Sequence, residues 1–181
     1  MPYLFERRDD DALWCTVPGW VADVVATMAD DLRGLLVSGA PAGDEVVERL
    51  FPRAYLDPTE EDAEREWEAL AHPDLARGKI DALARLAATL RSASTVEGEH
   101  DAEDLVEARI GDEDAEVWLR ALNDLRLALG TRLGVSEETD FDVDSESPAA
   151  AWLQVYQLLT DVQGVLVEVL SGLDAEPWED D

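Results

Sequence analysis

The segment at residues 118–135, WLRALNDLRLALGTRLGV, constrains the fold of this chain more than any other. Its apolar positions recur every three or four residues, which predicts a helix that is buried on more than one side. The main stripe of this helix consists of Leu122, Leu125, Leu129 and Leu133. Gly134 follows the stripe and fits the position where a helix ends. The segment therefore predicts a long helix inside the protein rather than on its surface.

Five polar side chains interrupt this apolar helix, and they are Arg120, Asn123, Asp124, Arg126 and Arg132. Because an unpaired buried donor costs about 1–3 kcal/mol, each of them needs a partner or access to water. Arg120 and Asp124 are four residues apart and can touch, as can Asn123 and Arg126 at a spacing of three. These residues are the first candidates for a functional role.

Arg53 and Tyr55 belong to the same candidate set, because they lie in a turn that precedes another helix. One interpretation is an internal salt-bridge network that ties this turn to the polar helix. The other is a recognition surface, since arginine and tyrosine are favoured anchors in protein interfaces. The sequence leaves both interpretations open.

The rest of the chain reads mainly as helices. The sequence predicts five helices besides the polar helix. They are a long helix after Pro18, a short one at 44–50, one that begins at Asp57 and Pro58 and is broken by His72 and Pro73, one at 75–90, and a final one at 152–170. Residues 3–5 and 13–17 suggest a hairpin, 105–110 a short strand, and 92–103 a loop. The predicted fold is a mainly α, single-domain bundle of about five or six helices over residues 1–173. The prediction allows a small N-terminal sheet of two or three strands beside the helices, and it places an acidic tail at 174–181.

The charge balance restricts the possible partners. The chain has 181 residues, with 43 acids against 14 bases and a net charge of −29. Such a field repels phosphate, so we expect no direct nucleic-acid binding. The charge chiefly indicates solubility, and the alternative is that it steers the chain toward a basic partner. No apolar run reaches the length of a membrane span, and the N-terminus lacks the apolar core of a secretory signal. We therefore expect a cytoplasmic protein that does not contact membranes.

Catalytic and metal-binding chemistry finds little support in the sequence. Cys15 is the only cysteine, so it forms no disulfide within the chain, and it is either a core residue or a redox group. Acids near His100, and the alternating Asp140, Asp142 and Asp144, lack the glycine and distal glutamate of a calcium loop. No phosphate loop, nucleophile elbow or zinc motif occurs. We expect no enzyme activity, no cofactor and no metal.

Three segments together resemble a known family. They are RLFPRAY at 49–55 with the acidic helix start after it, ALNDLRLALGTRLGV at 121–135, and WLQVYQLLTDVQGVLVEVL at 152–170. The chain resembles the AosR-like family of actinobacterial oxidative-stress regulators, long catalogued as a domain of unknown function. The resemblance covers nearly the whole chain. It implies a helical cytoplasmic regulator that contacts an extracytoplasmic-function sigma factor and controls thiol-metabolism genes under oxidative stress.

The chain departs from a disulfide-based redox switch, because Cys15 stands alone. Cys15 would have to pair with another molecule or be oxidised by itself, or else this chain does not sense redox state. The sequence thus predicts a non-enzymatic regulator that acts through protein contact, with homo-oligomerisation left open. The alternatives are a ligand-binding protein or enzyme that holds a small anion with the arginines, and an adaptor linked to Clp proteolysis.

Overall fold

The computed structural model of the chain describes residues 4–8, 12–39, 43–96, 104–111, 113–139, 141 and 148–171. The strands are β1 (Leu4–Arg7), β2 (Leu13–Pro18), β3 (Ser94–Thr95) and β4 (Leu105–Ile110). The helices are α1 (Gly19–Ser38), α2 (Glu45–Leu50), α3 (Glu61–Arg91), α4 (Ala115–Leu133) and α5 (Pro148–Leu170). A single 3-10 turn, Pro58–Glu60, leads into α3.

The helices form the larger part of the fold. The long helix α3 packs against α1 on one side and α4 on the other, while α2 and α5 both pack on α4. The helix predicted at 118–135 is therefore surrounded by neighbours, and its leucines belong to one continuous apolar core. Gly134 ends α4 in the left-handed conformation, with φ 66°, as expected of a glycine after a helix. No described helix is both long enough and apolar enough to cross a membrane.

The sheet is larger than predicted, because it has four antiparallel strands in the order β1-β2-β4-β3. The predicted N-terminal hairpin is confirmed, since Phe5 pairs with Cys15. The sheet is not confined to the N-terminus, however, because Cys15 also pairs with Ala108 of β4. Two residues of the predicted loop, Ser94 and Thr95, add the last strand. Such long-range pairing leaves little trace in a short sequence window.

The two faces of the sheet differ in character. Side chains alternate across a strand, so Phe5, Cys15 and Ala108 share the face that is buried against the helices. On the opposite face, Arg8 forms an ion pair with Glu107 and lies 4.5 Å from the centre of the Trp14 ring. The Arg8 hydrogen bond, opposed by partial desolvation, lowers the pKa of Glu107.

The predicted helix break at His72 and Pro73 is wrong, because α3 continues through Pro73. Proline removes one backbone donor, whose acceptor would be the carbonyl of Ala69 one turn earlier. Ala69 and Pro73 are exposed, so water can satisfy that carbonyl. The His72 ring also packs 5.3 Å from the Phe51 ring, which holds this turn of the helix.

Other boundaries agree closely with the prediction. Asp44 precedes α2 and accepts hydrogen bonds from two backbone N–H groups of its first turn. Asp57 caps the turn before α3 in the same way. The polar helix begins at Ala115, three residues before the start of the predicted segment at 118–135. The predicted acidic tail at 174–181 and residues 97–103 of the predicted loop lie outside the described residues.

Candidate functional site

The polar side chains of α4 divide among three neighbouring helices. Asp124 and Asn123 lie beside α3, Arg126 lies beside α5, and Arg132 reaches α2 from the last turn. A helix turns about 100° per residue, so Asp124, Arg126 and Arg132 lie about 80–160° from one another around the helix axis. The candidate residues therefore do not form one cluster of arginines.

Asp124 is the buried charge of this helix. Its Oδ1 accepts a hydrogen bond from Nζ of Lys79, at 2.7 Å, and Lys79 is the only lysine in the chain. Burial raises the pKa of Asp124, although the Lys79 ammonium acts in the opposite direction. The ammonium also lies 5.7 Å from the centre of the Phe51 ring, a geometry that favours a cation. The pair thus links α3, α4 and the turn after α2.

A groove of about 500 Å³ opens above this ion pair, between α3 and α4. Its walls are formed by Asp74, Leu75 and Gly78 from α3 and by Arg120 and Asn123 from α4. Arg120 is exposed and has no hydrogen-bond or ion-pair partner among the described residues. The predicted contact between Arg120 and Asp124 is not formed, because Lys79 occupies the Asp124 carboxylate.

Arg126 and Asn123 do form the predicted contact, with Asn123 Oδ1 accepting a hydrogen bond of 3.4 Å. The Nε of Arg126 is buried and has no partner among the described groups. Arg126 also lines a separate open groove of about 760 Å³, whose far wall includes Tyr156 and Gln157 of α5. It therefore belongs to the α4–α5 contact rather than to the groove that holds Arg120.

Arg132 has a structural partner at the other end of α4. Its guanidinium donates a hydrogen bond to Asp44 Oδ2 at 2.9 Å, while Asp44 Oδ1 caps α2. Desolvation acts to raise the pKa of Asp44, but the Arg132 hydrogen bond and the backbone donors of Val46 and Val47 lower it overall. This pair fixes the start of α2 against the end of α4.

The turn with Arg53 and Tyr55 is tied to α3 rather than to α4. The Tyr55 N–H donates to Glu64 Oε2 at 2.7 Å, and Arg53 forms an ion pair of 3.3 Å with Glu61. Glu64 is buried, and its other oxygen lies 4.0 Å from Arg53 Nε. One of the two interpretations was a network between this turn and the polar helix, but the hydrogen bonds and ion pairs of Arg53 and Tyr55 among the described residues go to α3. The turn instead covers the first part of α3.

Cys15 lies in the middle of the sheet, within the hydrophobic core. It is fully buried, and this burial raises the pKa of its thiol to about 12. A thiol of this kind holds its proton at neutral pH, whereas the thiolate is the reactive form. The geometry fits the core interpretation of Cys15.

Sequence reasoning missed three charged residues that organise these contacts: Lys79, Glu64 and Asp44. Each of them pairs with a residue too far away in the sequence for a local pattern to predict the contact, as Lys79 does with Asp124, which is 45 residues away. Two signals were nevertheless present. Lys79 is the only lysine among 14 basic residues, and Asp44 directly precedes a helix.

The described residues contain no group of three or more histidines, cysteines or acids that is placed to hold a metal ion. Most residues of the two acidic loops considered from the sequence lie outside the described part of the chain. His100, Asp140, Asp142 and Asp144 all lie outside the described residues.

A family model described as "Domain of unknown function (DUF2017)" matches residues 4–170, from β1 to the end of α5. The chain belongs to this family. The chain is also similar to curated proteins named "Oxidative stress regulator AosR". Together, the family match and this similarity confirm the resemblance inferred from the three sequence segments.

These relatives of the DUF2017 chain come from Mycobacterium bovis and from two strains of Mycobacterium tuberculosis. Each is 35% identical over 141 residues, a stretch that covers 72% of this chain and 60% of the relative. The chain thus spans about 60% of the length of the curated relatives it matches. No solved structure matches this DUF2017 chain.

Proposed function

We propose that this DUF2017 protein is a non-enzymatic cytoplasmic regulator that acts by binding another protein, and that the partner is an extracytoplasmic-function sigma factor. The observation that carries the proposal is the 35% identity, over 72% of the chain, to proteins named as oxidative stress regulators. The net charge of −29 supports the choice of partner. Sigma factors bind DNA, and DNA-binding proteins carry basic surfaces that an acidic protein attracts.

The placement of the polar residues supports a role in protein contact rather than catalysis. Asp124 pairs with Lys79, Arg132 with Asp44, and Arg53 with Glu61. Groups that are engaged in this way hold helices together and are not poised for chemistry on a substrate. What the chain presents outward is an acidic surface with several exposed apolar side chains.

The proposed regulator does not sense oxidants through Cys15. A thiol that is buried in the sheet reacts slowly, because reaction needs both access and the thiolate form. Any response to oxidative stress would then come from the partner or from the amount of this protein in the cell.

The direct test is the affinity of the purified chain for the extracytoplasmic-function sigma factors of its host, reduced and after peroxide. We expect at least one sigma factor to bind, with equal affinity in both states and in Cys15→Ala. If no sigma factor binds, the proposal fails, and capture of a Clp component instead would favour the adaptor alternative. Binding that tightens on oxidation and is lost in Cys15→Ala would restore the redox switch.

One observation favours a second candidate, a site for a small anion. Arg120 has no partner among the described residues, and it lines the groove of about 500 Å³ beside Asn123. A carboxylate or phosphate would suit this guanidinium. Thermal-shift titrations with inorganic phosphate and with citrate test the idea, using Arg120→Ala and, as the control, Arg49→Ala, since Arg49 is also exposed. Stabilisation by either anion that is lost only in Arg120→Ala would support this candidate.

A further inference from the structure

The first part of α3 extends beyond the hydrophobic core. The buried apolar residues of this helix all lie at or after Ala82, whereas Glu64 is the only buried residue before it. The first twenty residues of α3 therefore present most of their surface to solvent. A helix usually buries an apolar stripe, so the exposed part of α3 should be polar throughout.

Instead, this part of α3 carries three large apolar side chains in the open. Trp67 is 42% exposed, Leu70 71% and Leu75 47%. Leu70 follows Trp67 by three residues, and Ala71 and Leu75 follow it at steps of four, so these positions neighbour one another along one side of the helix. We refer to Trp67, Leu70 and Leu75 as the α3 stripe.

Further exposed surface lies beyond each end of the α3 stripe, with an apolar side chain, Leu56, at one end and a groove at the other. Leu56, which is 81% exposed, follows Tyr55, and the Tyr55 backbone is hydrogen-bonded to Glu64 one turn before Trp67. At the other end, Leu75 and Gly78 line the groove between α3 and α4. The Gly78 position faces open space, with no atom within 4 Å of where a Cβ would stand. The result is an elongated surface with a shallow groove at one end.

Acidic side chains surround the α3 stripe. Residues 60–75 contain seven acids and one base, Arg65, which is paired with Asp62. Glu66 and Glu68 flank Trp67 directly, and they have no partner among the described residues. A second copy of this chain would present the same negative charge, which opposes self-association through this face. An anionic membrane is disfavoured for the same reason.

We propose that the α3 stripe is the docking surface for an amphipathic helix of a partner protein, apolar on one face and rich in lysine or arginine beside it. Such a helix covers Trp67, Leu70 and Leu75 with its apolar face, while its basic residues meet the acids on either side. The inference rests on the proposed function, because it names the surface through which this regulator binds a basic partner.

A matched pair of double variants tests the surface. Trp67→Ser with Leu70→Ser removes the centre of the α3 stripe. Trp20→Ser with Val37→Ser removes a tryptophan and an aliphatic side chain of similar exposure, 50% and 67%, from α1. Because all four side chains are exposed, both variants should fold, and circular dichroism and thermal melting verify that they do.

The first probe is a designed helical peptide with leucines on one face and lysines on the other, measured by fluorescence anisotropy. We expect the α3 variant to bind it about tenfold or more weakly than the native chain, because a central tryptophan is a typical anchor. The α1 variant should bind like the native chain, and a scrambled peptide of equal composition should bind weakly to all three proteins. Equal loss in both variants, no loss in either, or no binding at all would overturn the proposal.

The second probe is the sigma factor, which separates the two proposals. If the native chain and both variants bind a sigma factor equally, the regulator proposal stands and the α3 stripe is rejected. If no sigma factor binds but the amphipathic peptide still distinguishes the variants, the surface stands and the choice of partner fails. Salt should weaken the peptide complex of the native chain, since the flanking charges are exposed.

Discussion

At the scale of single residues, the two ends of the buried ion pair have different surroundings. Asp124 has a side chain that is 6% exposed, whereas Lys79 is 23% exposed and reaches toward the groove. Removing one partner of a buried pair is costly chiefly because the other charge stays buried and unpaired. The lysine can turn to water, and the aspartate cannot.

We therefore predict that Lys79→Met destabilises the protein more than Asp124→Asn does. We expect losses in the free energy of unfolding of about 3 kcal/mol and about 1 kcal/mol respectively, at pH 7, from urea titrations. The first variant leaves a buried carboxylate alone, whereas the second keeps a neutral acceptor beside the ammonium. Equal losses would show that Asp124 reaches water.

The pH dependence of the Lys79→Met variant supplies a second test. Burial already raises the pKa of Asp124, and loss of the ammonium raises it further. The folded chain then holds a proton at pH values where the unfolded chain has released it, so stability falls as pH rises above about 4. The deficit of Lys79→Met relative to the native chain should thus shrink as pH is lowered from 7 toward 5. A deficit that does not change with pH would contradict this account.

Cys15 gives a prediction about reactivity. Burial in the sheet raises the pKa of its thiol to about 12, so a thiol reagent should label the native protein very slowly and the urea-unfolded protein at once. Peroxide should leave Cys15 of the native protein unoxidised, as peptide fragmentation in a mass spectrometer shows separately from sulfoxide formation at Met1 and Met28. A short synthetic peptide that contains Cys15 and its sequence neighbours is the control, because it gives the labelling rate of this cysteine without the fold. Fast labelling of the folded protein would mean that β1 or β4 opens readily from β2.

At the scale of elements, the contact between α4 and α5 depends on a glycine. A Cβ at Gly130 would stand 2.9 Å from Cε2 of Tyr156, a distance that real contacts do not show. Tyr156 also stacks on Phe141, with ring centres 6.0 Å apart, so moving the Tyr156 ring aside would sacrifice this contact. Close helix approach here requires the absence of a side chain.

We predict that Gly130→Ala destabilises the protein by about 1 kcal/mol, as overpacking outweighs the better helix propensity of alanine. Gly34→Ala is the matched control, because Gly34 lies inside α1 with no atom within 4 Å of its Cβ position. That change should stabilise by about 0.5–1 kcal/mol through propensity alone. Chemical unfolding of both variants measures the difference, and a gain at both positions would rule out the clash.

At the scale of the whole molecule, charge is the dominant feature. With 43 acids and 14 bases, the folded chain concentrates negative charge in a small volume, and this repulsion opposes compactness. Local ion pairs such as Arg8 with Glu107 and Arg85 with Asp114 offset only part of it. The same field attracts a basic partner and discourages contact with nucleic acid.

We predict that sodium chloride stabilises this protein. Raising it from about 0.1 M to about 1 M shortens the Debye length from about 10 Å to about 3 Å, which screens the repulsion between acids. Each kcal/mol gained raises the Tm by about 2–4 °C for a chain of this size. Sucrose at equal osmolality is the control for non-ionic effects in the melting scan. A Tm that falls with salt would mean that the ion pairs outweigh the repulsion.

The local elements could be predicted from the sequence because their causes are local. The leucine period produced α4, Gly134 ended it, and Asp57 with Pro58 opened the turn before α3. The acidic surface likewise followed from composition. The pairing of Asn123 with Arg126 was also predictable, since both lie on one helix at a fixed spacing.

Only the tertiary structure decided which distant groups meet. Asp124 bonds Lys79 rather than Arg120, because packing of α3 on α4 brings an ammonium from 45 residues away into contact with the buried carboxylate. The sheet includes β3 and β4 because of hydrogen bonds between residues far apart in the sequence. The helix α3 continues through Pro73 because water can satisfy the one carbonyl that loses its backbone donor. The exposed α3 stripe follows in turn, since a helical pattern shows which residues share a face, whereas the packing of the other helices determines whether that face is covered.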